Sequence, residues 1–506
     1  MASAAASDEA LLPVRHKGLL TIGIMLAMMM QILDTTIANV ALPHMQTSLG
    51  ATIDSVTWVL TSYLVASAAA IPLTGWLADR IGSRELFLTA VVFFIISSML
   101  CGIATSLEQM VFFRILQGIC AAFIGPLSQT AMLDINPTHK HGQAMAIWSL
   151  GAVLGPILGP LIGGYLTEYY NWRWVFFVNL PIGALTFTIL FLLLPGRPLK
   201  RRGFDLFGFA FFALGVAALQ LMLDRGQQLD WFNSWEIWLG LGATIIGLWV
   251  FIIHLITGRE TIVSRRIFKD YNFVGSMLFM TVAGALIFAS MALLALMLQG
   301  VFGYPVIDTG MVLAPRGLGV IVAMGIAARL MGKVDSRLLL FAGFAITAWS
   351  FLLMTRWSLD IDSWNVISTG LIQGFGFGLF IVVVNTVAFA TLPLDLRAEA
   401  SALLNLVRSL GASIGIAICA TLVARNLQIS HSELAEHVNP YALPDMGASI
   451  LGRFVLSDEA RLLLIDRAVN REAFMISYID SYWLLMVLAA AMAPLALLTR
   501  PMREEG

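Results

Sequence analysis

Apolar residues run along this chain in long unbroken blocks, without the alternation of a half-buried strand or the single stripe of a surface helix. A helix needs about 20 such residues to cross the hydrocarbon core of a bilayer. Fourteen blocks reach that length, near 18–40, 55–75, 86–105, 109–133, 142–166, 173–194, 204–223, 235–257, 272–298, 307–330, 337–355, 364–390, 399–423 and 477–498. The pattern predicts an all-α polytopic membrane protein whose solvent is the lipid bilayer. Short polar breaks separate the blocks, except for one longer polar segment at 424–476. Within it Ser457-Asp458-Glu459 starts a plausible helix, a capping serine followed by acids. His431, Glu433, Glu436 and His437 lack HExxH spacing and read as a solvated helical face rather than a metal site.

A second pattern overlies the first. Residues 110–165 recur without a gap 256 positions later, with 11 identities in 56 aligned positions. Gln117-Gly118 becomes Gln373-Gly374, Gln129-Thr130 becomes Asn385-Thr386, and Pro137 becomes Pro393. Gly155 and Gly159 become Gly411 and Gly415, and Gly75 and Gly82 recur as Gly325 and Gly332. The repeat aligns span 4 with span 12 and span 5 with span 13. Two plain six-span halves would shift by six, so a shift of eight places an extra hairpin, spans 7 and 8, between them. The expected organisation is a cytoplasmic tail at 1–17, a six-helix bundle at 18–195, an extra hairpin at 204–257, a second bundle at 272–498 that includes a periplasmic 424–476 loop, and a cytoplasmic tail at 499–506. Two similar halves in a membrane chain imply a substrate site between them and alternating access by rocking.

Composition narrows this further. The chain is 59% hydrophobic and 12% charged, about half the charge of a soluble domain. The net charge of −1 points to no particular partner, and nothing suggests nucleic acid. With the N-terminus in the cytoplasm, nineteen of the 30 Lys and Arg residues fall in cytoplasmic segments, and only Arg225 and Arg356 in short outer loops. The first 17 residues lack the apolar core of a cleavable signal. Cys101, Cys120 and Cys419 all lie inside apolar blocks, which argues against a disulfide framework or metal cluster. No cofactor is expected. HExxH, a plausibly placed GxSxG and paired acids at helical spacing within an apolar block are missing, so an intramembrane enzyme gains no support.

Several motifs carry chemistry. Span 1 ends Leu33-Asp34-Thr35-Thr36-Ile37-Ala38-Asn39-Val40-Ala41-Leu42-Pro43, and Asp34 is the one acid deep in a span of the first half. Span 4 carries Arg114-Ile-Leu-Gln117-Gly118. An arginine in a helix core costs about 3 kcal/mol, so it should face a polar interior and a partner. Span 5 reads Gly151-Ala-Val-Leu-Gly155-Pro156-Ile-Leu-Gly159-Pro160-Leu-Ile-Gly163-Gly164, a groove for close helix packing with prolines that bend it. Asn385, Asn405, Arg408 and Arg316 supply polarity to the second half, which lacks a deep acid. Gln117, Gln129, Trp148, Gln373, Asn385, Asn405 and Arg408, with Asn39, are the expected lining of a central polar and aromatic pocket, because polar groups are costly against lipid.

Gly75-Trp-Leu-Ala-Asp79-Arg80-Ile-Gly82-Ser-Arg84 resembles the GxxxDRxGRR signature of the major facilitator superfamily, departing from it at Ser83. The span-5 glycines resemble the GxxxGPxxGG motif of its exporters. Span 1, Asn171-Trp172-Arg173-Trp174 through Pro181, and Leu223-Asp224-Arg225-Gly226 through Phe232 are similar to stretches of the EmrB-like fourteen-span drug:proton antiporters. The resemblance covers nearly the whole chain. It implies two six-helix bundles with two extra spans outside them. It also implies efflux of lipophilic, neutral or anionic compounds against protons, with Asp34 and Arg114 coupling the proton. Gly75, Asp79, Arg80, Gly82 and Arg84 would form a cytoplasmic gate. The implied setting is a bacterial inner membrane with both termini cytoplasmic, and the implied partners are a periplasmic adaptor and an outer-membrane channel. A dedicated exporter of one metabolite, such as a fatty acid or siderophore, is the alternative.

Overall fold

The computed structural model describes residues 11–197, 199, 203–258, 261–436 and 458–498, the side chains of 53, 157 and 458–462 excepted. Each of the fourteen apolar blocks is helical. The first bundle holds span 1 (Lys17–Ser48), span 2, span 3 (Ser83–Ile103), span 4 (Leu107–Asp134), span 5 (His141–Tyr169) and span 6 (Trp174–Phe177 and Asn179–Leu193). Span 2 is broken: Asp54–Ala70 and Leu73–Ile81 meet at 60°, with Pro72 at the bend, where a missing N–H ends the ladder. The second bundle holds span 9 (Tyr271–Gly300), span 10 (Val306–Leu313 and Pro315–Leu330), span 11 (Ser336–Met354), span 12 (Ser363–Ala390), span 13 (Arg397–Glu436) and span 14 (Asp458–Ala496).

The sequence repeat is also a packing repeat. A Cβ on Gly155 would stand 2.7 Å from Ile32, and one on Gly411 would run into the Thr281 carbonyl. Gly159 has the same relation to Thr36, and Gly415 to Ala285. Span 5 therefore rides on span 1 as span 13 rides on span 9. Gly118 lies against the Tyr63 backbone on span 2, and Gly374 against the Arg316 backbone on span 10. Gly82 and Gly332 turn the chain at matching points with φ of 99° and 85°, a region that disfavours a side chain.

Spans 7 (Leu206–Arg225) and 8 (Trp235–Thr257) pack as a pair at Gly215 and Gly247. The hairpin is fastened to both bundles. Thr61 Oγ1 of span 2 donates to the Asp224 carboxylate. Gln220 Nε2 donates to Ser413 Oγ of span 13 at 2.7 Å, and Trp231 Nε1 to Thr421 Oγ1 at 2.8 Å.

One expectation changes. Much of the polar 424–476 segment is not a separate loop: 424–436 prolongs span 13, and 458–476 forms the first half of the span-14 helix. The two extensions are tied by His431–Asp466 at 3.2 Å and Asn426–Asp480 at 2.8 Å. Helical hydrogen bonding continues once the backbone leaves lipid, and polar side chains on both extensions suit water. His437 lies outside the described residues.

Candidate functional site

Asp34 sits inside the first bundle with no surface exposed. Its Oδ2 meets Arg114 Nη1 at 2.6 Å. Its Oδ1 accepts from Gln117 Nε2 at 2.8 Å and from Asn179 Nδ2 at 2.8 Å. Gln117 Oε1 in turn accepts from Arg114 Nη1 at 2.8 Å, and Arg114 Nε donates to the Val59 carbonyl at 2.9 Å. The Tyr63 ring lies 4.2 Å under the guanidinium. Four spans thus close on one carboxylate. Each polar group in a bilayer interior must find a partner within the protein, and a buried ion pair is tolerable only when its remaining donors and acceptors are largely met. Two atoms stay unmet, Arg114 Nη2 and Asn179 Oδ1.

A second network crosses between the bundles. Gln129 Nε2 donates to Asn385 Oδ1 at 2.8 Å. These two residues are repeat counterparts, so the bond lies where the pseudo-twofold relating the halves brings a position onto its own copy. Gln129 Oε1 accepts from Ser401 Oγ at 2.7 Å and Asn405 Nδ2 at 3.0 Å. Asn405 Oδ1 then accepts from Arg408 Nη2 at 2.8 Å. Gln129, Asn385, Ser401 and Asn405 are all buried, and Arg408 is half-buried. Trp148 is buried too, its Nε1 donating to Ser128 Oγ at 2.9 Å. In this conformation Gln129 holds the halves together through Asn385, Ser401 and Asn405.

Nearer the basic loops the closure continues. Asp134 at the end of span 4 pairs with Arg197 and, at 3.5 Å, with Arg397 at the start of span 13. Gly75 abuts Glu399, whose Cβ would be 3.0 Å from a Cβ on that glycine. The Glu399 carboxylate accepts from the Ser264 backbone N–H. Arg80 lies over Trp76 at 5.5 Å. Arg84 donates to the Phe191 carbonyl at 2.7 Å and pairs with Glu85 at 3.7 Å, while Asp79 is half-buried at the same turn.

Gly151, Gly155, Gly159 and Gly163 all face span 1, from Met25 to Val40. Thr36 Oγ1 donates to the Gly155 carbonyl at 3.3 Å. Pro156 is buried, and Gly164 turns the other way, where a Cβ would stand 3.5 Å from Val306 of span 10. Gln373 is buried beside Met354 Sδ at 3.9 Å, apart from the Gln129 network, and Asn39 is exposed.

Sequence reasoning missed Asn179, Tyr63, Ser401 and the Asp134–Arg397 pair as site members. Asn179 stood in the span-6 motif already singled out, but nothing local says which helix it faces. Arg397 carried a signal of another kind: it aligns with His141, so a nitrogen-bearing polar side chain at that point of both halves could have been noticed.

Comparison with known proteins fits this architecture. The Major Facilitator Superfamily family model matches residues 24–416. The multidrug export protein EmrB of Escherichia coli K12 is 35% identical over 471 residues, 92% of each chain. The fatty acid resistance protein FarB of Neisseria gonorrhoeae is 36% identical over 490 residues, 96% of each chain. Among solved structures, the proton:xylose symporter XylE overlays with a TM-score of 0.61 at 16% identity, covering 96% of this chain and 97% of its own. The human organic anion transporter MFSD10 gives 0.58 at 15% identity, covering 94% of this chain and 99% of its own.

Proposed function

The chain belongs to the major facilitator superfamily, and we propose that it is a proton-coupled multidrug exporter of lipophilic, neutral or anionic compounds. The observation that carries this reading is the sealed cluster of Asp34, Arg114, Gln117 and Asn179. A carboxylate held by three side chains from two other spans loses much of that hold on gaining a proton, so protonation loosens the cluster and changes the balance between bundle orientations. In the outward-facing state water reaches Asp34 and protonates it. The unmet Arg114 Nη2 and Asn179 Oδ1 give that water polar partners. The bundles then rock, breaking the Gln129–Asn385–Asn405 crossing and the Asp134–Arg397 pair. The proton leaves to the cytoplasm, and substrate binds while Asp34 is ionised. A potential of ~150 mV with one pH unit stores about 5 kcal/mol per proton, enough for a gradient of roughly a thousandfold for a neutral solute.

The basic face is the cytoplasmic one in this reading, by the positive-inside rule, and the membrane is a bacterial inner membrane. The span-13 helix has 40 residues, about 60 Å, against roughly 30 Å of hydrocarbon. Its extension, paired with that of span 14, reaches into the periplasm and supplies a surface for an adaptor that leads to an outer-membrane channel. The relative named for fatty acid resistance favours, as a second reading, a dedicated exporter of one such metabolite. A susceptibility panel of unrelated lipophiles in a pump-deficient strain separates the two: protection against a single compound class supports the dedicated exporter.

The coupling role is tested in proteoliposomes by efflux driven with an imposed pH step. Asp34→Asn should insert normally and bind substrate, yet its pH-driven efflux should fall to the background of protein-free liposomes. Asp34→Glu should keep part of the rate. Near wild-type pumping by Asp34→Asn would place coupling elsewhere.

A further inference from the structure

The second bundle rebuilds the Asp34 pocket with its charges rearranged. Ile32 and Thr36 meet Gly155 and Gly159 as Thr281 and Ala285 meet Gly411 and Gly415, which sets Asp34 level with Ala283. The 256-residue offset turns Arg114 into Gly370 and Gln117 into Gln373. Gln373 keeps the sulfur neighbour of its counterpart, Met354 Sδ at 3.9 Å where Gln117 has Cys101 Sγ at 3.7 Å. The guanidinium, however, comes from span 10. Arg316 lies against Gly374 as Tyr63 lies against Gly118, and a Cβ on Gly370 would be 3.7 Å from the Arg316 Cβ. The stem of Arg316 thus lies beside the position of Arg114, while its guanidinium reaches Ser290, about two helical turns along span 9 from Ala283.

Arg316 is only 7% exposed. Its Nη2 donates to Ser290 Oγ at 2.7 Å, and the Phe377 ring lies 4.8 Å from the guanidinium. Among the described residues no carboxylate pairs with it, and its other nitrogens make no hydrogen bond. Gln373 Oε1, one helical turn from Gly370, is buried without a partner. A hydroxyl and a ring face do not neutralise a guanidinium held out of water, and the first bundle shows what does: a carboxylate between an arginine and a glutamine.

We propose that Arg316 is the receptor for the carboxylate of a lipophilic anion, taken up beside Ser290 and Phe377. The guanidinium fork suits a planar carboxylate, and the charge favours the anion over its neutral ester. This deepens the exporter reading and rests on it.

The test uses the full chain in nanodiscs, with dodecanoate and its neutral methyl ester as probes. Arg316→Gln should weaken dodecanoate binding about tenfold or more and leave the ester unchanged, in line with the loss of a charge-assisted bond. Arg316→Lys should keep part of the affinity. Equal dodecanoate affinity in wild type and Arg316→Gln overturns the proposal. So does equal loss of both probes in a monodisperse variant, which marks a structural role, and so does displacement of dodecanoate by chloride alone, which marks a general anion site. Efflux of the neutral dye Nile red by the same preparations keeps the premises apart: if the wild type exports neither dye nor dodecanoate, the exporter reading fails whatever the binding result.

Discussion

Around span 4 and around span 12 the chain builds one pocket twice and charges it in two ways. In the first, Asp34 and Arg114 neutralise each other at 2.6 Å and neither is exposed. In the second, Arg316 meets Ser290 and the face of Phe377, and among the described residues no carboxylate pairs with it. The glycine contacts around both pockets match, so the difference is chemical rather than architectural. A duplicated bundle can thus divide two tasks. In the reading proposed above, the closed pair would hold a group that a proton releases, and the open cation a group that arrives from outside. Both cost the fold something, since a charge in a bilayer interior is expensive until it is met.

The comparison can be broken most sharply by taking the cation from each pocket. Arg114→Gln leaves Asp34 buried beside no base and should cost about 3–5 kcal/mol. Arg316→Gln leaves no orphan acid and should cost about 1 kcal/mol or less. Thermal unfolding of both variants in one detergent decides it, and equal losses would mean that Arg316 has a structural partner after all. A smaller effect is expected where the halves are most alike. Gly155→Val and Gly411→Val should each cost about 1–3 kcal/mol by overpacking, with parallel losses of Tm and of efflux. Efflux lost at Gly155→Val and kept at Gly411→Val would give the span-5 glycines a role beyond packing. The mildest test contrasts the central crossing with the hairpin anchor. Gln129→Ala removes an acceptor shared by Ser401 and Asn405 and should favour separation of the bundles by about 1–3 kcal/mol. Alkylation of a Ser401→Cys reporter by N-ethylmaleimide should quicken several-fold. Gln220→Ala, which frees only the hairpin from Ser413, should leave that rate unchanged.

Individual residues mark what could be read in advance. The fourteen spans, the duplication and the extra hairpin follow from apolar length and the 256-residue offset, and Asp34 stands out as the one deep acid of its half. Its pairing with Arg114 was expected and is seen. Asn179 and Tyr63 complete the cluster and were not foreseen, because spacing along a helix says which residues share a face but not which helix that face meets. Gln129 and Asn385 were known as repeat counterparts, yet their direct bond was invisible until the two halves were placed around a common axis. The reach of spans 13 and 14 into the polar segment was hidden for a different reason: apolar length marks where a helix leaves the bilayer, not where its hydrogen bonding stops.

The sequence by itself determined the membrane class, the number of spans and the twofold plan, because bilayer thickness acts on each stretch of chain locally and a duplication leaves its glycines in register. Only the tertiary structure decided which charges are met. Gln117 and Gln373 are identical in sequence and in repeat position, but one bridges an ion pair and the other keeps an unmet oxygen. The cause is that Arg114 and Asp34 come from spans 4 and 1, while their counterparts are Gly370 and Ala283, and the replacement cation enters from span 10. That exchange between helices is a property of three-dimensional packing, and no period along the chain encodes it.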